Sequence, residues 1–188
     1  MRRDQLEEVI RAAARVVELD DLVVIGSQAI LAALPVGRAV PDEAIRSVEA
    51  DIAVDAITAR VDSLDASALA DRIDGAIGQL SHFHRTRAYY AQGVEVETAV
   101  LVDGWRDRLV PIVADDGDRR AVGWCLEAHD LWISKAAAGR EKDGEFCAAL
   151  VAHGIVDLDE CRRRAATLPE PHRSRVEGAV ARSVRVTG

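Results

Sequence analysis

Glu49 and Asp51 stand one residue apart in a stretch where Val48, Ala50, Ile52 and Val54 alternate with Glu49, Asp51, Ala53 and Asp55. That alternation has the period of a β-strand, so both carboxylates project from one face and can converge on a single hard cation. Paired oxygen donors suit Mg²⁺ or Mn²⁺. A merely polar outer face is the other reading of such a pair. Glu95 and Glu97 repeat the spacing, with Val94 and Val96 between and before them, and predict a second strand with an acidic face. If the two strands are neighbours, their carboxylates repel one another unless a cation or a proton neutralises them. Two divalent ions about 3.5–4 Å apart would then activate an attacking hydroxyl and stabilise a departing pyrophosphate.

Anion-binding chemistry has two candidate locations. Gly26-Ser27 follows the apolar run Leu22-Val-Val-Ile25 and precedes the helix-compatible Gln28–Leu34. This strand, turn and helix would let the backbone approach a phosphate closely, with Ser27 adding a hydroxyl donor. The second location is Asp130 to His153, which reads as one long helix stopped by Gly154. On such a helix Lys135 and Lys142 lie two turns apart on a shared face, with Gly139 between them and Arg140 and Asp143 beside them. Lys135 and Lys142 are the only lysines among 24 basic residues, and a compact ammonium approaches a phosphate as a point charge. Surface ion pairs on an exposed helix face are the alternative.

The remaining elements must hold these groups in place. Leu6, Val9, Ile10, Ala13, Ala14 and Val17 have helical spacing, with Asp4 as the expected cap. Residues 35–46, with Pro35, Gly37 and Pro41, read as a loop, and 64–80 as a helix. A strand is expected from about Arg87–Ala91, followed by the apolar runs Ala99–Val102 and Leu109–Val113, a turn at Asp115–Asp118, and short helices at about 157–167 and 172–183. The fold class is therefore a mixed α+β arrangement: a small mixed sheet with flanking helices over residues 1–118, and a helical part over 119–188 packed as one unit with it.

Composition narrows the field. The chain has 188 residues and a formal charge of -8, enough for one core. Residues 1–118 carry 12 basic and 22 acidic side chains, and residues 119–188 carry 12 and 10, so any polyanion would meet the C-terminal third. No stretch has the length of a membrane span and the N-terminus lacks the apolar core of a signal peptide, which points to the cytoplasm. Cys125, Cys147 and Cys161 are read as buried thiols. His82 and His84 lack a third ligand nearby and read as surface residues, and Trp105, Trp124 and Trp132 as core anchors.

Taken in chain order, Gly26-Ser27, Glu49-x-Asp51 and Glu97 resemble the signature of the polymerase-beta-like nucleotidyltransferase superfamily. Lys135-x4-Arg140-x-Lys142-Asp143, with Glu145-Phe146 and Gly104-Trp105-Arg106-Asp107-Arg108-Leu109, is similar to the AbiEii and MenT toxin branch. The resemblance covers roughly residues 20–155. It implies transfer of a nucleoside monophosphate from an NTP, in MenT-type toxins to the 3′ end of tRNA, opposed by a cognate antitoxin. Carried over by position, Glu49, Asp51 and Glu97 would hold Mg²⁺ or Mn²⁺, with Glu97 also base-like. Gly26, Ser27, Lys135, Arg140 and Lys142 would bind the NTP, and Asp143 would orient the cationic cluster. Ser47 matches a position that some antitoxins phosphorylate. Glu49 departs from the family's usual Asp. A small-molecule or protein acceptor, and a non-catalytic NTP-binding module, are the alternatives.

Overall fold

The computed structural model describes residues 1–34, 41–42 and 46–187, apart from the side chains of Lys142 and residues 185–187; most of the expected 35–46 loop thus lies outside the described residues. Helix α1 (Arg3–Val17) buries all six of the apolar positions that its spacing singled out. Asp4 falls within its first turn, where it favours the helix dipole, rather than at the cap. Strand β1 (Asp21–Val24) is followed by a 3₁₀ turn (Ser27–Ala29) and the short α2 (Ile30–Ala33). Strand β2 (Glu49–Ala53) leads through α3 (Ala56–Ala59) and α4 (Ala66–Ile77) to α5 (His82–Arg87) and strand β3 (Tyr90–Val94).

The sheet has the order β3-β2-β1-β5-β4, with β4 at Val110–Asp115 and β5 at Arg120–Cys125. It is mixed: β1 pairs antiparallel with β2 and parallel with β5, β2 pairs parallel with β3, and β4 pairs antiparallel with β5. The apolar run of β1 is explained by this central place, because Leu22, Val23 and Val24 are covered on both faces. Strand β5 was not expected. Its inward residues Ala121, Gly123 and Cys125 are small or weakly hydrophobic, since α1 packs close above them with Ile10 against Gly123, and so its alternation is faint. The expected division at residue 118 falls in the β4–β5 turn, so the sheet extends into the C-terminal part.

The long helix expected over 130–153 is two helices, α6 (Ala128–Ala138) and α7 (Glu141–Ala152). Gly139 ends α6 with a left-handed φ of 68°, its N–H bonding back to the Lys135 carbonyl, and Arg140 is extended as the cap of α7. Helices α8 (Leu158–Ala165) and α9 (His172–Thr187) complete the chain, packing against α6. Trp132 of α6 is fully buried and donates its indole N–H to the Cys147 carbonyl of α7 at 3.1 Å. Beneath this layer Asp130, only 1% exposed at its side chain, accepts from Arg108 and from Arg164 of α8, both at 2.8 Å. Arg164 also reaches Glu127, whose carboxylate is held at about 2. Burial opposes ionisation of Glu127, but hydrogen bonds and charge from His129 and Arg164 overcome it.

All three cysteines are buried and free. Trp105 and Trp132 are core residues, whereas Trp124 is half-buried and donates to Asp21. His84 lies on α5 rather than on a strand, and its Nδ1 accepts from the Leu80 N–H. Among the described residues no helix is long and apolar enough to cross a membrane.

Removing Arg164 leaves Asp130 with Arg108 as its remaining ion-pair partner and withdraws one partner from Glu127. Arg164→Ala is expected to lower stability by about 1–3 kcal/mol, the scale for removing one partner from buried charged groups that keep another. Urea unfolding at neutral pH checks this, and a loss under about 0.5 kcal/mol would show that the network is not what ties α8 to α6.

Candidate functional site

A cavity of about 630 Å³ opens where one face of β2 meets the α6–α7 corner. Gly26, Ser27, Ser47, Glu49, Asp51 and Gln92 line the sheet side, and Lys135, Arg140, Asp143 and Phe146 line the helical side. Glu49 and Asp51 project from β2 on one face, as their spacing required. The β1 end leaves room for Asp51 because residue 26 has no side chain: a Cβ on Gly26 would lie 1.8 Å from the Asp51 Oδ2. Next to it, Ser47 caps the entry to β2, its Oγ accepting from the Glu49 N–H at 3.1 Å. Gln28, fully buried, donates to the Ser47 carbonyl at 3.0 Å and so ties the turn after β1 to the same segment.

The two carboxylates burden one another. Asp51 is pushed up to about 6, first by burial and then by the neighbouring Glu49, against the opposing pull of Lys135 and Arg140 across the cavity. Glu49 is held from the side by Tyr90 on β3, whose phenol donates to the Glu49 Oε2 at 2.6 Å and is itself pushed up to about 12, chiefly by burial and by that bond.

On the opposite wall the break at Gly139 decides the geometry. Lys135 in the last turn of α6 and Asp143 in the first turn of α7 meet at 3.5 Å, and Arg140 between them donates to the Asp143 Oδ2 at 2.7 Å. Asp143 is 4% exposed and Lys135 12% exposed at their side chains and both belong to the wall, whereas Arg140 is 57% exposed and reaches in from the rim. Each charge also suits its helix end. Lys135 and Lys142 therefore do not share a helix face; they stand on different helices, and the side chain of Lys142 lies outside the described residues.

Glu97 is a correction of another kind. The strand that should have carried Glu95 and Glu97 ends at Val94; Val96–Thr98 is a 3₁₀ turn, and Glu97 is exposed outside the cavity that its neighbours Thr98, Ala99 and Val100 line. The position that pairs with Asp51 across the parallel β2–β3 ladder is Gln92. Tyr90 and Gln92 were missed as site residues although they are i and i+2 on β3, the signal that singled out Glu49 and Asp51. The residue types of Gln92-Gly93 read as a turn, whereas in the fold β3 runs through them to Val94.

Among the described residues no three His, Cys, Asp or Glu side chains gather as a metal cluster. The donor set nonetheless fits one hard divalent cation: two adjacent carboxylates on a cavity wall, one held toward its protonated form chiefly by burial and then by the other. Lys135 and Arg140 face them with the opposite sign, an arrangement whose chemistry can hold phosphate groups.

A family model described as "Nucleotidyltransferase of unknown function (DUF6036)" matches residues 4–177, a span containing every residue of the cavity wall named above. No curated protein and no solved structure matches the chain.

Because the folded-state value of Asp51 lies above its ordinary 3.8, ionising it opposes folding: the cost is absent below about pH 4 and complete above about pH 7. Asp51→Asn removes that cost, so it should stabilise the metal-free protein by about 1–3 kcal/mol near pH 8 and change little near pH 4. Thermal unfolding at the two pH values in the presence of a chelator measures the difference; a variant less stable than the parent at pH 8 contradicts the assigned strain.

Proposed function

The chain belongs to the DUF6036 family of nucleotidyltransferases, and from that premise we propose that it moves a nucleoside monophosphate from an NTP to the 3′ end of tRNA, as the toxin of a toxin–antitoxin pair. The observation that carries the transfer chemistry is one cavity with Glu49 and Asp51 on one wall and Lys135, Arg140 and Asp143 on the other. The choice of tRNA rests on the likeness of Lys135-x4-Arg140-x-Lys142-Asp143 to the AbiEii and MenT toxins.

In this reading the acceptor hydroxyl gives its proton up to solvent as its oxygen bonds to the α-phosphorus of the NTP, the bond from that phosphorus to the bridging oxygen breaks, and pyrophosphate leaves with the electron pair. Lys135 and Arg140 hold the phosphates, and Asp143 keeps both cations aimed into the cavity through its bonds to them. Ser27 offers a hydroxyl on the sheet side. Glu49 and Asp51 would hold Mg²⁺ or Mn²⁺, which when bound stabilises negative charge on the phosphoryl group in transfer. Glu97, outside the cavity, has no part in this chemistry. An antitoxin acting on Ser47 would place a phosphoryl group beside Glu49 and Asp51, where its charge opposes NTP binding.

A second reading, transfer to a small-molecule or protein hydroxyl, is favoured by the arginines of the C-terminal third. Arg162 pairs with Asp159, Arg163 with Glu160, Arg164 with Glu127 and Asp130, and Arg173 with Glu170. Paired cations neutralise fewer RNA phosphates.

Each radiolabelled NTP, incubated with the protein, Mg²⁺ and total tRNA, is expected to label the RNA 3′ end, and Asp51→Asn to abolish the label. Label on a panel of small hydroxyl acceptors but not on RNA would select the second reading, and label that survives Asp51→Asn would remove Asp51 from the chemistry. Lys135→Ala should raise the NTP concentration needed for half-maximal rate about 10-fold or more, the worth of a hydrogen bond to a charged group.

A further inference from the structure

We propose that Tyr90 is a positioning residue that allows a glutamate to serve at the first metal-facing position, so that Glu49 and Tyr90 act as one unit. The inference rests on the metal role assigned to Glu49 above. Glu49 and Tyr90 are direct partners across the parallel β2–β3 ladder, and their side chains emerge on the same face. A glutamate carries one more rotatable bond than an aspartate, and an unrestrained carboxylate at its end samples positions that a shorter side chain does not reach. The Tyr90 hydroxyl removes that freedom, donating to Oε2 at 2.6 Å, within the short range typical of an O–H bonded to a carboxylate.

The phenol is fixed in its turn. Tyr90 is buried, and the ring of His84 lies 4.7 Å from its ring at a 50° tilt. His84 is anchored to its own backbone segment, since Nδ1 accepts the Leu80 N–H at 3.0 Å. A chain of contacts from α5 through β3 thus ends on one carboxylate oxygen in the cavity wall. On the next rung Gln92 stands opposite Asp51, and Asp51 itself is confined by the space above Gly26. Each carboxylate has its own restraint: backbone proximity for the short one, a hydroxyl for the long one.

An aspartate at position 49 would be shorter by one methylene and would lose the phenol. The two substitutions must therefore be non-additive. The test is a double-mutant cycle on the full chain: wild type, Tyr90→Phe, Glu49→Asp and the double variant, with binding of Mn²⁺ alone followed by electron paramagnetic resonance. Tyr90→Phe is expected to weaken Mn²⁺ binding about 10-fold when residue 49 is Glu and less than about 2-fold when it is Asp. In the nucleotidyl-transfer assay the same substitution should lower kcat in the Glu49 background and leave KM for NTP in place.

An equal loss in both backgrounds would overturn the inference, because Tyr90 would then act on the fold and not through Glu49; so would wild-type binding that Tyr90→Phe leaves unchanged. Wild-type protein that does not bind Mn²⁺ at all would overturn the metal role of Glu49 and Asp51 along with it, an outcome distinct from the other two.

Discussion

Repulsion between Glu49 and Asp51 is the constraint around which the surrounding structure is arranged. Two carboxylates one residue apart on a strand, on the same side of the sheet and partly withdrawn from water, lack the dielectric screening that makes such pairs innocuous at a surface. The protein answers with three separate restraints. Gly26 gives Asp51 the space to sit against the end of β1, Tyr90 donates to Glu49, and the α6–α7 corner brings Lys135 and Arg140 to the facing wall. Asp51 remains held toward its protonated form, by its burial first and by the charge of Glu49 second. A site left in that condition favours cations, and stability spent there is a common feature of functional positions.

The facing wall depends on a helix that stops. Were α6 and α7 one continuous helix, Lys135 and Asp143 would be eight residues apart along one axis, too far along it for the observed contact. The left-handed turn at Gly139 reverses the chain so that the end of one helix meets the start of the next, and the macrodipoles reinforce the pairing of Lys135 with Asp143. The corner needs a rigid foundation. Asp130, near the other end of α6, supplies it by joining Arg108 from the turn after Gly104 to Arg164 of α8, while Trp132 packs α6 onto α7. Placement of the cations in the cavity is thus decided partly by a buried charge cluster at the opposite end of their helix.

Charge distribution looks different once the chain is folded. The basic surplus of the C-terminal third is largely consumed in ion pairs, many of them within a turn or two of one helix, such as Arg162 with Asp159 and Arg173 with Glu170. Exposed pairs of this kind add little to stability. Among the described residues Lys135 and Arg140 stand on the cavity wall opposite Glu49 and Asp51, and one of the chain's two lysines is thus placed there.

Much of the architecture was legible in the sequence because burial imposes period on it. The six buried positions of α1, the doubly covered run of β1 and the alternation through Glu49 and Asp51 are direct consequences of which face meets the core. The signals failed where tertiary contact overrode the pattern. Strand β5 was hidden because close packing under α1 requires small residues, which leave little hydrophobic contrast. The acidic alternation at Glu95 and Glu97 was real as a pattern and empty as structure, because β3 runs out at Val94 where β2 no longer offers a partner. Residue types by themselves therefore determined one acidic wall and the identity of the cationic cluster. Only the folded chain decided that Gln92 joins the acidic wall, that Tyr90 braces it from behind Glu49 and that the break at Gly139 brings the cluster to face it, because register between strands and the direction of a helix end are set by partners distant in the chain.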